Sequence, residues 1–233
     1  MGREASKTIL HLGAALSQYL QGEGIDVGCG DDPVLPSVDR FDKTEGDANR
    51  LSRHVQKQYD FVFASHILEH MRDPRETLVD WLSVLKPGGY LVFMVPDEDL
   101  YEQGCFPSLF NDDHKYTFTI AKARSWSPVS VNVLELVRGL DAELVSVALQ
   151  DNGYDRRLLC HRPTRFELLL LTLRRWASRR FRHPRLGHLI HALFVRLGAP
   201  VDQTALPDGR LAQIGVVLRR PLAERDVPKV AVP

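Results

Sequence analysis

Gly24-Ile-Asp-Val-Gly-Cys-Gly30 is the stretch on which the reading of this chain turns. A short apolar run ends in two glycines one residue apart, the pattern of a buried strand that must bend sharply where it stops. Gly28 and Gly30 let the backbone turn and let a ligand approach without meeting a Cβ, with Cys29 between them and Asp26 offering a carboxylate at the same edge. The third glycine of a dinucleotide-binding fingerprint is missing. Asp31-Asp32-Pro33 follows instead, and two acids there would repel a pyrophosphate resting on a helix N-terminus. The loop suits a ligand that carries a cation. No GxxxxGK[ST] segment occurs, which argues against a nucleoside triphosphate.

The pattern continues outward from this turn. Upstream, residues 5–20 place Ile9, Leu12, Leu16 and Leu20 on one helical face, and Gly22 and Gly24 end the helix. Downstream, 37–41 is a weaker strand candidate and 59–64 (YDFVFA) is a strand of buried type, apolar on both faces. A helix is expected over 74–85, opened by Pro74 and broken by Lys86-Pro-Gly-Gly89. A buried strand over 90–95, a helix over 129–139, a strand over 142–149 and a last strand over 210–219 complete the order. Strands alternating with helices imply a parallel sheet covered on both faces, whose ligands collect at the carboxyl ends of the strands.

Four segments, in order, resemble the class I (Rossmann-like) S-adenosylmethionine-dependent methyltransferases. Asp26-Val-Gly-Cys-Gly30 resembles their first motif, and Asp47-Ala48 the acidic–small pair after the third strand. The stretch 59–70 (YDFVFASHILEH) resembles the fourth strand with its LEH segment, and 84–93 (VLKPGGYLVF) the unit leading into the fifth strand. The resemblance covers about 20–150 and the final strand. It implies a doubly wound, mostly parallel seven-stranded α/β sheet with helices on both faces and a helical insertion before the last strand. It also implies S-adenosylmethionine as cofactor. Gly28 and Gly30 would pass beneath its methionine part, with Asp26 near the amino group. Asp39 would take the ribose hydroxyls, Asp47 and Ala48 would meet adenine, and Ser65 and His66 would face the sulfonium and the acceptor. Only about a dozen residues separate Asp26 from Asp39, so the first crossover helix is short or missing, and Asp42 is a rival for the ribose.

Methyl transfer is an in-line displacement for which the cofactor supplies the reactive group and the protein the orientation. An oxygen nucleophile also needs a base, and histidine serves near neutral pH. His114, in the polar loop 111–118 after the fifth strand, is the candidate base, with Asp112 or Asp113 orienting it. The bland reading is a loop whose His and Tyr only fix its shape. Asp112, Asp113 and His114 also read as ligands of a divalent ion, but three adjacent residues on an extended loop rarely all point inward, and no metal is expected. His70 is expected to cap or pack under the Leu68-Glu69 turn, with Glu69 structural. Tyr101 and Phe106 suit a lid or a substrate wall. Cys105 has no activating base nearby in the sequence.

With 233 residues, 44% hydrophobic and 26% charged, the chain suits one domain with a real core. We expect an N-terminal helix in 1–22, the cofactor-binding core in 23–150, a basic helical insertion in 151–209, the last strand in 210–220 and a tail in 221–233. Three widely spaced cysteines without a CxxC argue against zinc and for a reducing compartment. No signal peptide and no 18-residue apolar span is evident, so the expected location is the cytoplasm, or peripherally the inner membrane face. The zero net charge divides unevenly: residues 1–150 hold 14 basic and 23 acidic side chains, the remainder 16 and 7. Eleven arginines and one acid, Glu167, fall within 156–200, where two apolar helical stretches stand at 164–181 and 186–197. That insertion could close the pocket, form a homodimer or lie on an anionic membrane. Nucleic acid is not expected, since the arginines lack a recognition framework and the acidic half would repel phosphates. The expected activity is O-methylation of a small-molecule, saccharide or glycan acceptor. The alternatives are a catalytically silent cofactor-binding protein of the same fold, and an N-methyltransferase.

Overall fold

Strand β1 (Gly24–Val27) is buried at all four positions and lies parallel to β2 (Asp39–Phe41) on one side and β3 (Tyr59–Ser65) on the other. Gly24 admits no larger residue, because a Cβ there would stand 2.0 Å from the ring of Phe61. This computed structural model describes residues 4–180, 184–206 and 208–222; most of the 221–233 tail lies outside them. β4 (Leu85–Pro96) runs parallel to β3, β8 (Gln213–Arg219) returns antiparallel along β4, and β7 (Glu143–Gln150) closes the far edge antiparallel to β8. The order is β2-β1-β3-β4-β8-β7, with a separate parallel pair of β5 (Thr117–Thr119) and β6 (Ser130–Asn132).

The period-two alternation of β3 and β4 sorts the core into two layers. Phe61, Phe63, Val92 and Met94 face α1 (Glu4–Leu16), which contributes Ala5 and Leu16. Val62, Leu91, Phe93 and Val95 face the other way, onto Leu78 and Trp81 of α2 (Pro74–Ser83) and Val133 and Leu136 of α3 (Val133–Val137). Asp73 caps α2 by accepting the Glu76 N–H, and Pro74 sits in the first turn, where its missing N–H costs nothing. Fully buried Trp81 donates its indole N–H to the Ala48 carbonyl at 2.8 Å.

Among the described residues the sheet has six strands, where the resemblance implied seven. The missing one is the third, expected ahead of Asp47. In its place residues 48–53 coil into 3-10 turns capped by Asp47, leaving β2 on the edge. Local bonds explain this: Glu45 and Gly46 N–H groups return to the Asp42 carbonyl, and Asn49 N–H goes to Asp47. Such short-range pairing competes with a strand ladder. No helix forms between Val27 and Asp39, so the first crossover helix is absent.

Ahead of β8 the chain makes a helical hairpin, α4 (Arg165–Arg180) and α5 (Pro184–Arg196). Leu170, Leu171 and Ala177 are buried inward. Phe166, Leu169, Leu173 and Trp176 on α4, and Leu189 and Leu193 on α5, are exposed. Among the described residues no helix is long and apolar enough to cross a membrane.

Candidate functional site

The carboxyl ends of β1 and β3 open into a cleft of about 350 Å³, walled on one side by Glu4, Ala5 and Lys7 from the first turn of α1. Gly28 turns the chain at φ +79°, and a Cβ there would lie 2.9 Å from Ile67. Its N–H donates to the Phe41 carbonyl, locking the turn against β2. Gly30 follows at φ +53°, and its N–H donates to Asp42 Oδ2 at 2.7 Å. Asp26 is almost fully buried beneath the turn and accepts the Val34 N–H at 2.6 Å. Burial raises its pKa to about 7, against the smaller lowering effect of that hydrogen bond. Asp32 bonds Ser6 and so ties the loop to α1.

Across the cleft, β3 ends at Ser65, whose buried hydroxyl has no hydrogen-bond partner among the described residues. His66 adopts a left-handed conformation at φ +54°. Its Nε2 bonds Gln213 Oε1 at 2.8 Å, and its Nδ1 stands 3.5 Å from Glu69 Oε1. Both nitrogens therefore face oxygen acceptors. Burial pulls its pKa down, but the Glu69 and Glu4 carboxylates outweigh that and push it up to about 9. The neighbouring carboxylates thus favour the protonated form of His66.

His114, 5% exposed, lines the cleft floor. Its Nδ1 bonds Glu102 Oε1 at 2.6 Å, its ring stacks on Tyr101 at 5.4 Å, and its Nε2 lies 3.8 Å from Glu69 Oε1. Fully buried Glu69 and Glu102 bring two carboxylates to one imidazole. Besides a glycine turn with a carboxylate on each side, the cleft thus holds an imidazole fixed through one nitrogen by an acid.

Residues 1–194 match the family model described as a methyltransferase domain. The chain belongs to that family. The protein is an S-adenosylmethionine-dependent methyltransferase of Rossmann-like α/β fold. The methyltransferase is similar to a methyltransferase from Archaeoglobus fulgidus (16% identity, 93% of this chain and 94% of that one, TM-score 0.47). It is also similar to the [4+2]-cyclase SpnF (17%, 91% and 81%, 0.47) and to coclaurine N-methyltransferase bound to N-methylheliamine and S-adenosylhomocysteine (11%, 91% and 72%, 0.47). No curated protein matches the sequence.

Of the residues read from the methyltransferase sequence, Asp26, Gly28, Cys29, Gly30, Ser65, His66 and His114 come together around the cleft. Asp39 does not. It opens β2 beside Ile25, at the amino end of the sheet, where its carboxylate accepts the Tyr59 hydroxyl at 2.9 Å and pairs with Lys57. Asp42 stands at the carboxyl end, just past the Phe41–Val27 register pair, and already holds Gly30. Asp47 and Ala48 lie outside the cleft lining: Asp47 caps its 3-10 turn and pairs with Arg72. Asp113 does not orient His114 either. It pairs with His70 Nδ1 at 3.2 Å, Asp112 is exposed, and Glu102 bonds His114. From the sequence, the acidic loop 97–102 suits a polyhydroxylated or cationic acceptor, but sequence reasoning did not pair Glu102 with His114 and did not single out Gln213.

Proposed function

We propose that this methyltransferase, acting as one unit with its helical hairpin, methylates a hydroxyl oxygen of a small polyhydroxylated acceptor, of which a saccharide is the leading class. His114 receives the proton. The observation that carries this reading is the Glu102–His114 pair: Nδ1 is tied to a buried carboxylate, Nε2 has no partner nearer than Glu69 Oε1 at 3.8 Å, and the residue lines the cleft. An imidazole held this way is oriented to take a proton from an alcohol, a service an uncharged amine needs less. Asp26 holds the cofactor's amino group, the turn at Gly28 and Gly30 passes beneath its methionine part, and Asp42 takes the ribose hydroxyls. Ser65 and His66 lie where the acceptor meets the methyl group.

The hairpin supports peripheral contact with an anionic membrane surface. Its exposed apolar stripes are flanked by arginines, and Arg175 reaches the carbonyl of Leu109, beside the cleft residue Phe110. A lipid-linked saccharide presented at the cytoplasmic face would meet the cleft there, and three unpaired cysteines fit that reducing compartment.

The test is transfer of labelled methyl from S-adenosylmethionine to a panel of saccharides and amines, with His114→Ala beside the wild type. The expected result is label on oxygen, with kcat about 10²- to 10⁴-fold lower in the variant and cofactor affinity unchanged. Label on amines alone, indifferent to His114, would mean N-methylation. Cofactor binding without any transfer would mean a silent binding protein.

A further inference from the structure

Glu69 is fully buried, and among the described residues neither of its carboxylate oxygens has a hydrogen-bond partner. Leaving an ionised carboxylate dry and unbonded is costly, so buried charges are normally paired, hydrogen-bonded or bound to metals. What faces Glu69 is imidazole: His66 Nδ1 stands 3.5 Å from Oε1 and supplies one neighbour for the charge, beyond the usual length of a hydrogen bond. His114 Nε2 lies 3.8 Å from Oε1, too far for a hydrogen bond. One ligand atom each from Glu69, His70 and His114 fall within 4.8 Å of one another. Two ligands about 2.1 Å from a tetrahedral ion stand roughly 3.4 Å apart, so an ion would draw donors that stand within 4.8 Å closer by at most about 1.4 Å.

Both imidazoles are also prepared as ligands. His70 Nδ1 stands 3.1 Å from the Asp113 carbonyl oxygen, which can only accept, so Nδ1 carries the proton. The Asp113 carboxylate backs the same nitrogen at 3.2 Å. Glu102 does this for Nδ1 of His114. In each ring the carboxylate side fixes the tautomer and leaves Nε2 with its lone pair, the arrangement that supports histidine ligands in metal sites.

We infer that Glu69, His70 and His114 form a binding site for one divalent first-row transition-metal ion, such as zinc or cobalt. Two imidazoles and a carboxylate leave at least one coordination position open. His114 and Glu69 line the cleft, so that position is available to the acceptor. This last step rests on the proposed O-methylation. With the ion bound, His114 is a ligand rather than a free base, and the metal takes over the acidification of the acceptor hydroxyl. The hydroxyl proton leaves to water. The oxygen attacks the methyl carbon as the carbon–sulfur bond breaks, and the electron pair returns to sulfur, giving the methyl ether and neutral S-adenosylhomocysteine.

The test needs neither cofactor nor acceptor. The full-length protein is stripped with a chelator, and Zn²⁺ binding is titrated by calorimetry. Co²⁺ is titrated beside it, with visible absorption reporting its coordination. Wild type is compared with Glu69→Gln and with His70→Ala, a half-buried position whose loss the fold tolerates better. We expect one ion per chain, a four- or five-coordinate cobalt spectrum, and affinity at least about 10-fold weaker in His70→Ala with unchanged circular dichroism. No binding, or equal binding in all three proteins, would overturn the site and leave a bare charge cluster balanced by His66. His114-dependent, chelator-insensitive O-methylation would then still stand. A bound ion with methyl found only on amines would refute the O-methylation reading and leave the metal site intact.

Discussion

Asp26 should make cofactor binding depend on pH. In the cofactor-free protein its buried carboxyl has a pKa of about 7. The ammonium group of S-adenosylmethionine, placed beside it, pairs only with the ionised form. At pH 5.5 about 3% of the carboxyl is ionised, and at pH 7.5 about 76%. The association constant should therefore rise about 25-fold over that range, or about 1.9 kcal/mol. Below pH 7 the slope approaches one proton released per cofactor bound. Isothermal calorimetry in buffers of different ionisation enthalpy measures both quantities. Asp26→Asn should bind weakly and without the slope. The same group sets a stability trend in the ligand-free protein. Its folded pKa lies above the ordinary aspartate value of 3.8, so the folded state keeps a proton the unfolded state has lost. Stability from this group therefore falls as pH climbs from about 4 to 7, and the Asn variant should lack that fall. Pairing Asp26 with the ammonium would be refuted by a flat cofactor affinity from pH 5.5 to 7.5 in the wild type, or by an unchanged slope in Asp26→Asn.

Two further outcomes follow from the geometry. Asp42→Ala should weaken cofactor binding at least about 10-fold, since hydrogen bonds to a charged acceptor contribute about 1.5–3 kcal/mol each, whereas Asp39→Ala should leave it within about twofold. Calorimetry on both variants checks this, and the reverse ranking would restore Asp39 to the ribose. On the hairpin, the wild type should co-sediment with vesicles containing anionic phospholipid and not with neutral ones, and Phe166→Ser with Trp176→Ser should abolish the binding. A concentration-dependent dimer without vesicle binding, lost in the same double variant, would show instead that the exposed stripes meet a second copy of the chain.

What the sequence disclosed was local. The turn at Gly28 and Gly30, Asp26 beneath it and the helix opened by Pro74 each follow from a few adjacent residues, and each stands where expected. Of the two acids read as rivals for the ribose, Asp39 opens β2 and Asp42 follows its last residue, Phe41. Register, not residue type, decides which acid reaches the carboxyl end. The third strand was lost to short-range bonds among Asp42, Glu45, Asp47 and Asn49, which no alternation pattern reveals. Glu102 escaped because its partner, His114, sits 12 residues away across a loop, while nearer acids, Asp112 and Asp113, satisfied the same chemical expectation on paper. Gln213 is farther still from His66, 147 residues along the chain, and only the return of β8 beside β4 joins them.

The most direct test of the account is a calorimetric titration of S-adenosylmethionine and S-adenosylhomocysteine into the wild type and Gly28→Val. A valine at φ +79° would be strained, and its Cβ would press on Ile67 at 2.9 Å, moving the turn that the cofactor must lie against. The account predicts micromolar binding of both ligands to the wild type and none to the variant, with the two proteins matching in circular dichroism. Absent binding in the wild type, or equal binding in both, would contradict it.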